Sequence, residues 1–338
     1  CIYKKRAFMK NFMKQPRRLF LAILIFSYLL LLFFFPSICI EGARNGLLLW
    51  FEQLLPSLLP FLILSGLCVR FGLSEMIGKL FYPLLRFLPI SSHGSYPIII
   101  GLLSGYPVGA KTCADMLIEK KLSRKEASFL LCCCNNASPM FLTGFAACSC
   151  LGIPEKRYLI FFIIVISGFL SALILYPFFF KNMKEISSNP ISHPSKQQPI
   201  KAHHVTAMQK LDETILGSFE VMVKVGGYVI LFSIPATLLL SLFSYLFVNP
   251  SETVLFFTTA ILGFLEISTG TSIIGSSCLS LTIKTVLTLS ICAFGGLSAL
   301  AQTKSVIGSS GLSISYYIIA KLLQAVLAGL FGYFLLCF

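Results

Sequence analysis

Residues 101–141 read GLLSGYPVGAKTCADMLIEKKLSRKEASFLLCCCNNASPMF. Strongly apolar runs flank this stretch, yet it is rich in Gly, Pro, Ser and Asn. A continuous helix in lipid avoids that mixture, because Gly and Pro free backbone groups that hydrocarbon cannot satisfy. Such backbone is tolerated at membrane depth where protein buries it or where it lines a wet cavity. Residues 101–111 and 135–141 therefore read as parts of a solute site built from broken helices.

Composition agrees. The chain has 338 residues, 56% hydrophobic and 12% charged, with a mean hydropathy of +0.86. Soluble domains carry about 25% charged residues, so the chain reads as a polytopic membrane protein. The net charge of +14 does not describe a nucleic-acid surface, and no nucleic-acid partner is expected. The basic residues gather at 4–18, 120–125 and 181–210, beside or between apolar runs. That is the positive-inside pattern, with the lipid bilayer and its anionic inner leaflet as partner. Among twelve cysteines, Cys132, Cys133, Cys134, Cys148 and Cys150 are dense but show no CxxC pair and no nearby His. They read as small side chains that let helices approach closely, with a CxC…CxC metal site as the weaker alternative. No disulfide framework, metal or cofactor is expected.

The segments on either side fall into order. Residues 19–35 follow Lys4, Lys5, Arg6, Lys10, Lys14, Arg17 and Arg18. This apolar core is longer than the about 7–15 residues of a signal peptide, so an uncleaved first span with a cytoplasmic N-terminus is expected. Residues 47–69 form a second apolar block, kinked or split by Pro56 and Pro60. Residues 71–88, carrying Glu75, Lys79 and Arg86, read as an interfacial amphipathic helix. Ser123-x-x-Glu126 predicts a capping box for the helix that leads to the Asn pair. Residues 158–180 form a clean span. Residues 181–210, with Pro190, Pro194, Pro199, His193, His203 and His204, read as a hydrophilic cytoplasmic linker.

The rest of the chain repeats this outline. Residues 226–247 are a span containing Pro235. GFLEISTG (263–270) interrupts an apolar run as GLLSGYPVG does, FGGLSALAQTK (294–304) answers the Asn pair, and 313–338 closes as 158–180 does. Each element recurs about 160 residues later, and paired interruptions of this kind point to a transporter site. The predicted fold is all-α: a polytopic membrane protein of about eight full or broken transmembrane helices in two repeated halves, with re-entrant or discontinuous helices. Inverted topology is expected, with a parallel repeat as the alternative. The divisions are 1–44 (basic segment and first span), 45–180 (first repeat), 181–212 (linker) and 213–338 (second repeat).

The candidate chemistry sits at the interruptions. Ser104, Gly105, Tyr106, Pro107 and Gly109 offer close backbone approach. Lys111 follows at a helix start, where N–H groups favour anions, though a flanking lysine that snorkels to the interface would look the same. Asn135, Asn136 and Ser138 supply amide and hydroxyl groups, or glue between spans. Gly295, Gly296 and Gln302 are their second-half counterparts. Glu266 is an acid inside an apolar run, a costly placement that points to ion coupling together with Thr269, or to a pair with Lys111, Lys284 or Lys304. No HExxH, Walker A or Ser-His-Asp pattern is present, so an enzyme is not expected.

GYPVGAK (105–111), SRKEA (123–127), CNNASPMF (134–141) and the element at 266–270 resemble the sporulation integral membrane protein YlbJ family, within the wider group carrying the nucleoside-recognition, or Gate, domain. The resemblance covers roughly residues 45–335. It implies a bacterial inner-membrane protein acting in the mother cell, in the membrane around the forespore. It further implies movement of dipicolinate, a small anionic solute, toward the forespore, alongside other sporulation membrane proteins. The alternatives are a non-transporting scaffold for spore envelope assembly, a nucleoside-type transporter, and a channel in place of a carrier.

Overall fold

The computed structural model describes residues 16–180 and 206–336, which form helices and the turns between them. The basic residues before Pro16, and the linker with His193, His203 and His204, lie outside the described residues. Helix α1 (Pro16–Phe34) meets the next helical stretch at 107°. Pro36 opens α2 (Pro36–Leu48), where its fixed φ suits a first turn and its missing N–H costs nothing. A π-helical segment, Leu49–Leu54, leads into α3 (Leu55–Arg70), with Pro56 in its first turn and Pro60 inside it. The prolines thus divide the block read at 47–69. Gly72, at φ 75°, turns the chain by 100° into α4 (Leu73–Leu85), the amphipathic element predicted from its charges.

Among the described residues, nine further helices fall in the two halves, on either side in sequence of one long rod. The first half holds α5 (Ser95–Ser104), α6 (Val108–Ile118), α7 (Arg124–Cys134), the π-helical Phe141–Cys150 and α8 (Arg157–Leu175). Next comes α9 (Ala207–Leu246), 40 residues long. At 1.5 Å per residue it spans about 60 Å, twice the hydrocarbon thickness. A capping box between Thr206 and Gln209 starts it, so residues 207–210 are helical where the sequence reads as linker. Gly42 and Gly46 bring α2 against the backbone of Ile234 and Ile230, and the Trp50 indole N–H donates to the Met222 carbonyl at 2.8 Å.

The second half holds α10 (Glu252–Leu265), α11 (Ile267–Ser276), α12 (Leu281–Phe294), α13 (Gly296–Ile307) and α14 (Ile314–Leu336). Four helical segments among the described residues are long and apolar enough to cross a membrane, or up to six if each bent pair is one span. The one formed by α12 and α13 is 72% buried across its most apolar window, against 28–39% for the other three, so it lies at the centre.

Each half begins with a hairpin. In a straight helix Gly101 and Gly109 would stand about 12 Å apart. A Cβ on Gly109 would instead lie 3.1 Å from the Gly101 Cα, so α6 folds back on α5. Likewise a Cβ on Gly270 would lie 2.6 Å from the Gly263 nitrogen, folding α11 back on α10. Neither hairpin crosses; each is followed by a broken span and a long one.

The halves are inverted. Broken span and long span run antiparallel in the first half, since Phe129 packs on Tyr176 at 5.6 Å while Asn136 lies beside Gly168. The second half matches, with Leu289 beside Gly332 and Ser290 beside Gly329. The two long spans, α8 and α14, also run antiparallel to each other. Ala172 shares a buried cluster with Ala320, while Ile160 shares the next with Ala328. Corresponding spans side by side and opposite in direction exclude the parallel alternative.

The capping box read at 123–126 forms by half. Ser123 Oγ accepts from the Glu126 N–H at 3.2 Å, but the Glu126 carboxylate turns to Ser91, taking its N–H at 2.7 Å and its hydroxyl at 2.8 Å. The cysteines of α7 pack in the core, with Cys113 and Cys134 sulfurs 3.4 Å apart.

Candidate functional site

The two hairpin tips use different devices. In the first, Gly105 takes φ +81°, a conformation cheap only for glycine, and Pro107 precedes α6. The Tyr106 N–H donates to the Asn136 carbonyl at 2.7 Å, seating this tip on the break after α7. In the second, no Gly or Pro marks the tip. Glu266 is extended (φ −144°, ψ 122°) and its carboxylate accepts from the Thr269 N–H at 2.7 Å, capping α11. Gly295 and Gly296, both at positive φ, break the facing span. A Cβ on Gly296 would stand 3.2–3.3 Å from the Gly263 and Leu265 carbonyls and the Ile267 nitrogen.

Tips and breaks close on one cavity of about 30 Å³. The first half contributes Tyr106 and Ser138; the second contributes Glu266, Ser268, Ser298 and Gln302. Leu54, Leu58 and Val229 supply an apolar wall from the π-helical segment before α3, from α3 and from α9. Glu266 is 2% exposed, and among the described residues no Lys or Arg pairs with it. Lys284 donates instead to the Gly275 carbonyl, and Lys304 is exposed. Gln302 Nε2 donates to Ser298 Oγ at 3.1 Å. Chemically, the cavity offers one carboxylate, three hydroxyls, an amide and a phenol ring.

The structure thus brings together Tyr106, Ser138, Glu266 and Gln302, with Gly105, Pro107, Gly109, Gly295, Gly296 and Thr269 shaping the backbone around them. Ser104 is buried beside the first tip, its hydroxyl without a partner among the described residues. Lys111 stands elsewhere. It pairs with Asp115 at 2.5 Å on the outer face of α6, a third exposed, and lines a separate cavity of about 180 Å³ with Arg70 and Glu213. Lys111→Met is accordingly expected to leave solute movement within about twofold of the parent, since an i,i+4 pair exposed by a third contributes about 0.3–0.5 kcal/mol. Uptake measured in vesicles checks this; a tenfold loss would return Lys111 to the site.

Asn135 and Asn136 lie behind the cavity in the role of glue between spans, in a buried network whose partners Thr303, Tyr317, Lys321 and Gln324 the sequence reading missed. Asn135 Nδ2 donates to Thr303 Oγ1 at 2.9 Å and to the Tyr317 hydroxyl at 2.8 Å, while its Oδ1 accepts from the Ala110 N–H at 3.3 Å. Asn136 Oδ1 accepts from Lys321 at 2.7 Å and from Gln324 at 2.8 Å. Gln324 Nε2 also reaches the Ile164 carbonyl on α8. The missed residues had a signal: Lys321 and Gln324, three apart, are the polar exceptions in an apolar span.

No family model matches the chain. The sporulation integral membrane protein YlbJ of Bacillus subtilis (strain 168) is 28% identical over 317 residues, covering 88% of this chain and 77% of that protein. This bears out the YlbJ resemblance and a multi-pass membrane protein. Among solved structures, a CNTnw variant in the intermediate 3 state is 14% identical with a TM-score of 0.47, covering 88% of this chain and 85% of the other. CNTnw in an inward-facing substrate-bound state is 12% identical with a TM-score of 0.45, covering 95% and 85%. Scores of this size do not establish a common fold.

Proposed function

We propose that this multi-pass membrane protein, which resembles the sporulation integral membrane protein YlbJ, carries a small polar solute across the membrane by alternating access. The observation that supports this most is the meeting of two inverted hairpin tips and two span breaks on one buried polar cavity. Irregular backbone at this depth is costly, and lining a solute path gives it a use. The cavity, about 30 Å³, has room for a single water, so the centre is closed in this conformation.

Two larger cavities flank it along α3. One, of about 410 Å³, is lined by Glu52, Gln53, Gly144 and Ser149, and shares Leu54, Ser138 and Phe141 with the centre. The other is the Lys111 cavity, separated from the centre by the buried cluster of Leu58, Leu62, Val108, Val221, Val225 and Val229. One seal is thin and the other thick. Alternation would open one as the other closes.

The cargo we carry forward is dipicolinate, implied by the family resemblance; sporulation and the forespore membrane come from the same source. Dipicolinate is a dianion at neutral pH, and an ionised Glu266 would repel it. Proton uptake by Glu266 with solute answers that repulsion. In this reading the N-terminus and linker are cytoplasmic, supported by the positive-inside pattern of their own basic residues and of Lys120, Lys121, Arg124 and Lys125 at the base of the first hairpin. An impermeant maleimide is expected to label exposed Cys278 from the face opposite to a cysteine replacing Lys120. Labelling of both from one face would sink the inverted scheme. For transport itself, vesicles containing only this protein should take up labelled dipicolinate saturably; uptake of neither dipicolinate nor uridine above that of empty vesicles would leave a scaffold.

A further inference from the structure

Lys321 lies within α14 and is 1% exposed. Its Nζ donates to Asn136 Oδ1 at 2.7 Å and to Gln324 Oε1 at 2.8 Å, and it faces the Tyr317 ring with 5.5 Å to the centroid. Among the described residues no carboxylate pairs with it. The other titratable groups around it are the thiols of Cys132, Cys133 and Cys134 on α7.

This surrounding suits an ammonium. An ammonium has three N–H donors and no acceptor, and two carbonyl oxygens plus an aromatic face satisfy all three. A neutral amine would turn its lone pair toward the electron-rich ring. The placement supplies the remaining negative potential. Asn136 Nδ2 donates to the Cys133 carbonyl at 2.8 Å, so the amine stands, one amide removed, at the C-terminal end of α7. That end carries the negative pole of a helix interrupted inside the protein, and unwound half-helix ends of this kind hold monovalent cations in membrane carriers.

We propose that Lys321 is a tethered cation: its ammonium fills, from within the chain, the position at the broken end of α7 that would otherwise draw a monovalent cation from solution. Through Asn136, whose carbonyl holds the Tyr106 N–H, the ammonium positions the first hairpin tip over the central cavity. The first half then needs no ion of its own. The two breaks are electrostatically unlike, a built-in cation behind one and the Glu266 carboxylate at the other, so exchange of cations with solution is left to the second half.

The test needs no solute, which keeps it apart from the transport reading. Full-length parent, Lys321→Ala and Lys321→Met are purified in detergent and melted in sodium, methylammonium or choline chloride at equal ionic strength. Alanine leaves a space that a small cation fits, whereas methionine keeps the volume without the charge. The expected result is that both variants melt several degrees below the parent. Methylammonium or sodium, but not choline, should restore the alanine variant, while the parent and the methionine variant stay indifferent. A methionine variant that melts with the parent would overturn the proposal, and so would an alanine variant that no small cation restores. Where the alanine variant does not accumulate, expression with methylammonium in the medium decides: recovery of folded protein supports the tethered cation, and none overturns it.

Discussion

Gly105→Leu should abolish solute movement while the protein still inserts and accumulates. At φ +81° a side chain strains the backbone, and a Cβ there would lie 2.6 Å from the Ser138 nitrogen and 2.8 Å from its Cα. Both are backbone atoms, so no rotamer change relieves the clash. Left-handed backbone costs about 1–2 kcal/mol and overpacking about 1–3 kcal/mol, enough to push the tip off the α7 break without unfolding the helices around it. Gly227→Leu is the control, because nothing lies within 4 Å of a Cβ at that exposed position. Uptake per inserted protein is the measurement. Parent-like uptake by the Gly105 variant would detach the hairpin tip from function.

Glu266→Gln should flatten the pH dependence of uptake. Glutamine keeps the oxygen that accepts from the Thr269 N–H, so the start of α11 survives while the charge is lost. In the parent only the protonated carboxyl tolerates a neighbouring dianion. If solute enters with a proton on Glu266, uptake by the parent should therefore rise in acidic medium. The variant, always neutral, should transport at the rate of the acid form across the range. A variant that retains the parent's slope would assign the coupling proton elsewhere.

Much of this site was legible because breaks in lipid have few chemical solutions. Gly105, Pro107, Gly295 and Gly296 announce themselves in apolar surroundings, and Glu266 does so as an acid where no acid is cheap. A hairpin and a broken span need the same residues, however. Only the contact of Gly101 with Gly109, and of Gly263 with Gly270, separates the two. Lys111 was misleading for a directional reason: it is the first base after the break, but the helix turns it outward to Asp115. Lys321 was overlooked because a closing apolar span was read by its average. A single charge hardly moves that average, yet it is buried and hydrogen-bonded at the break after α7. The early start of α9 was written in Thr206 and Gln209, three apart, beside a basic stretch that drew the eye to its charge.

The inverted halves also have unequal grip. A Cβ on Gly105 would lie 2.6 Å from the Ser138 nitrogen at the first break, whereas one on Gly296 would stand 3.2 Å from the Gly263 carbonyl of the second hairpin. In a molecule whose halves share one design run in opposite directions, such a difference describes a second shape. On the alternating-access proposal, exchanging the two grips, so that the second hairpin tightens and the first relaxes, would yield the form that faces the other side. Each half is in this sense a template for what its counterpart becomes, and the protein carries a drawing of its opposite state in its own asymmetry.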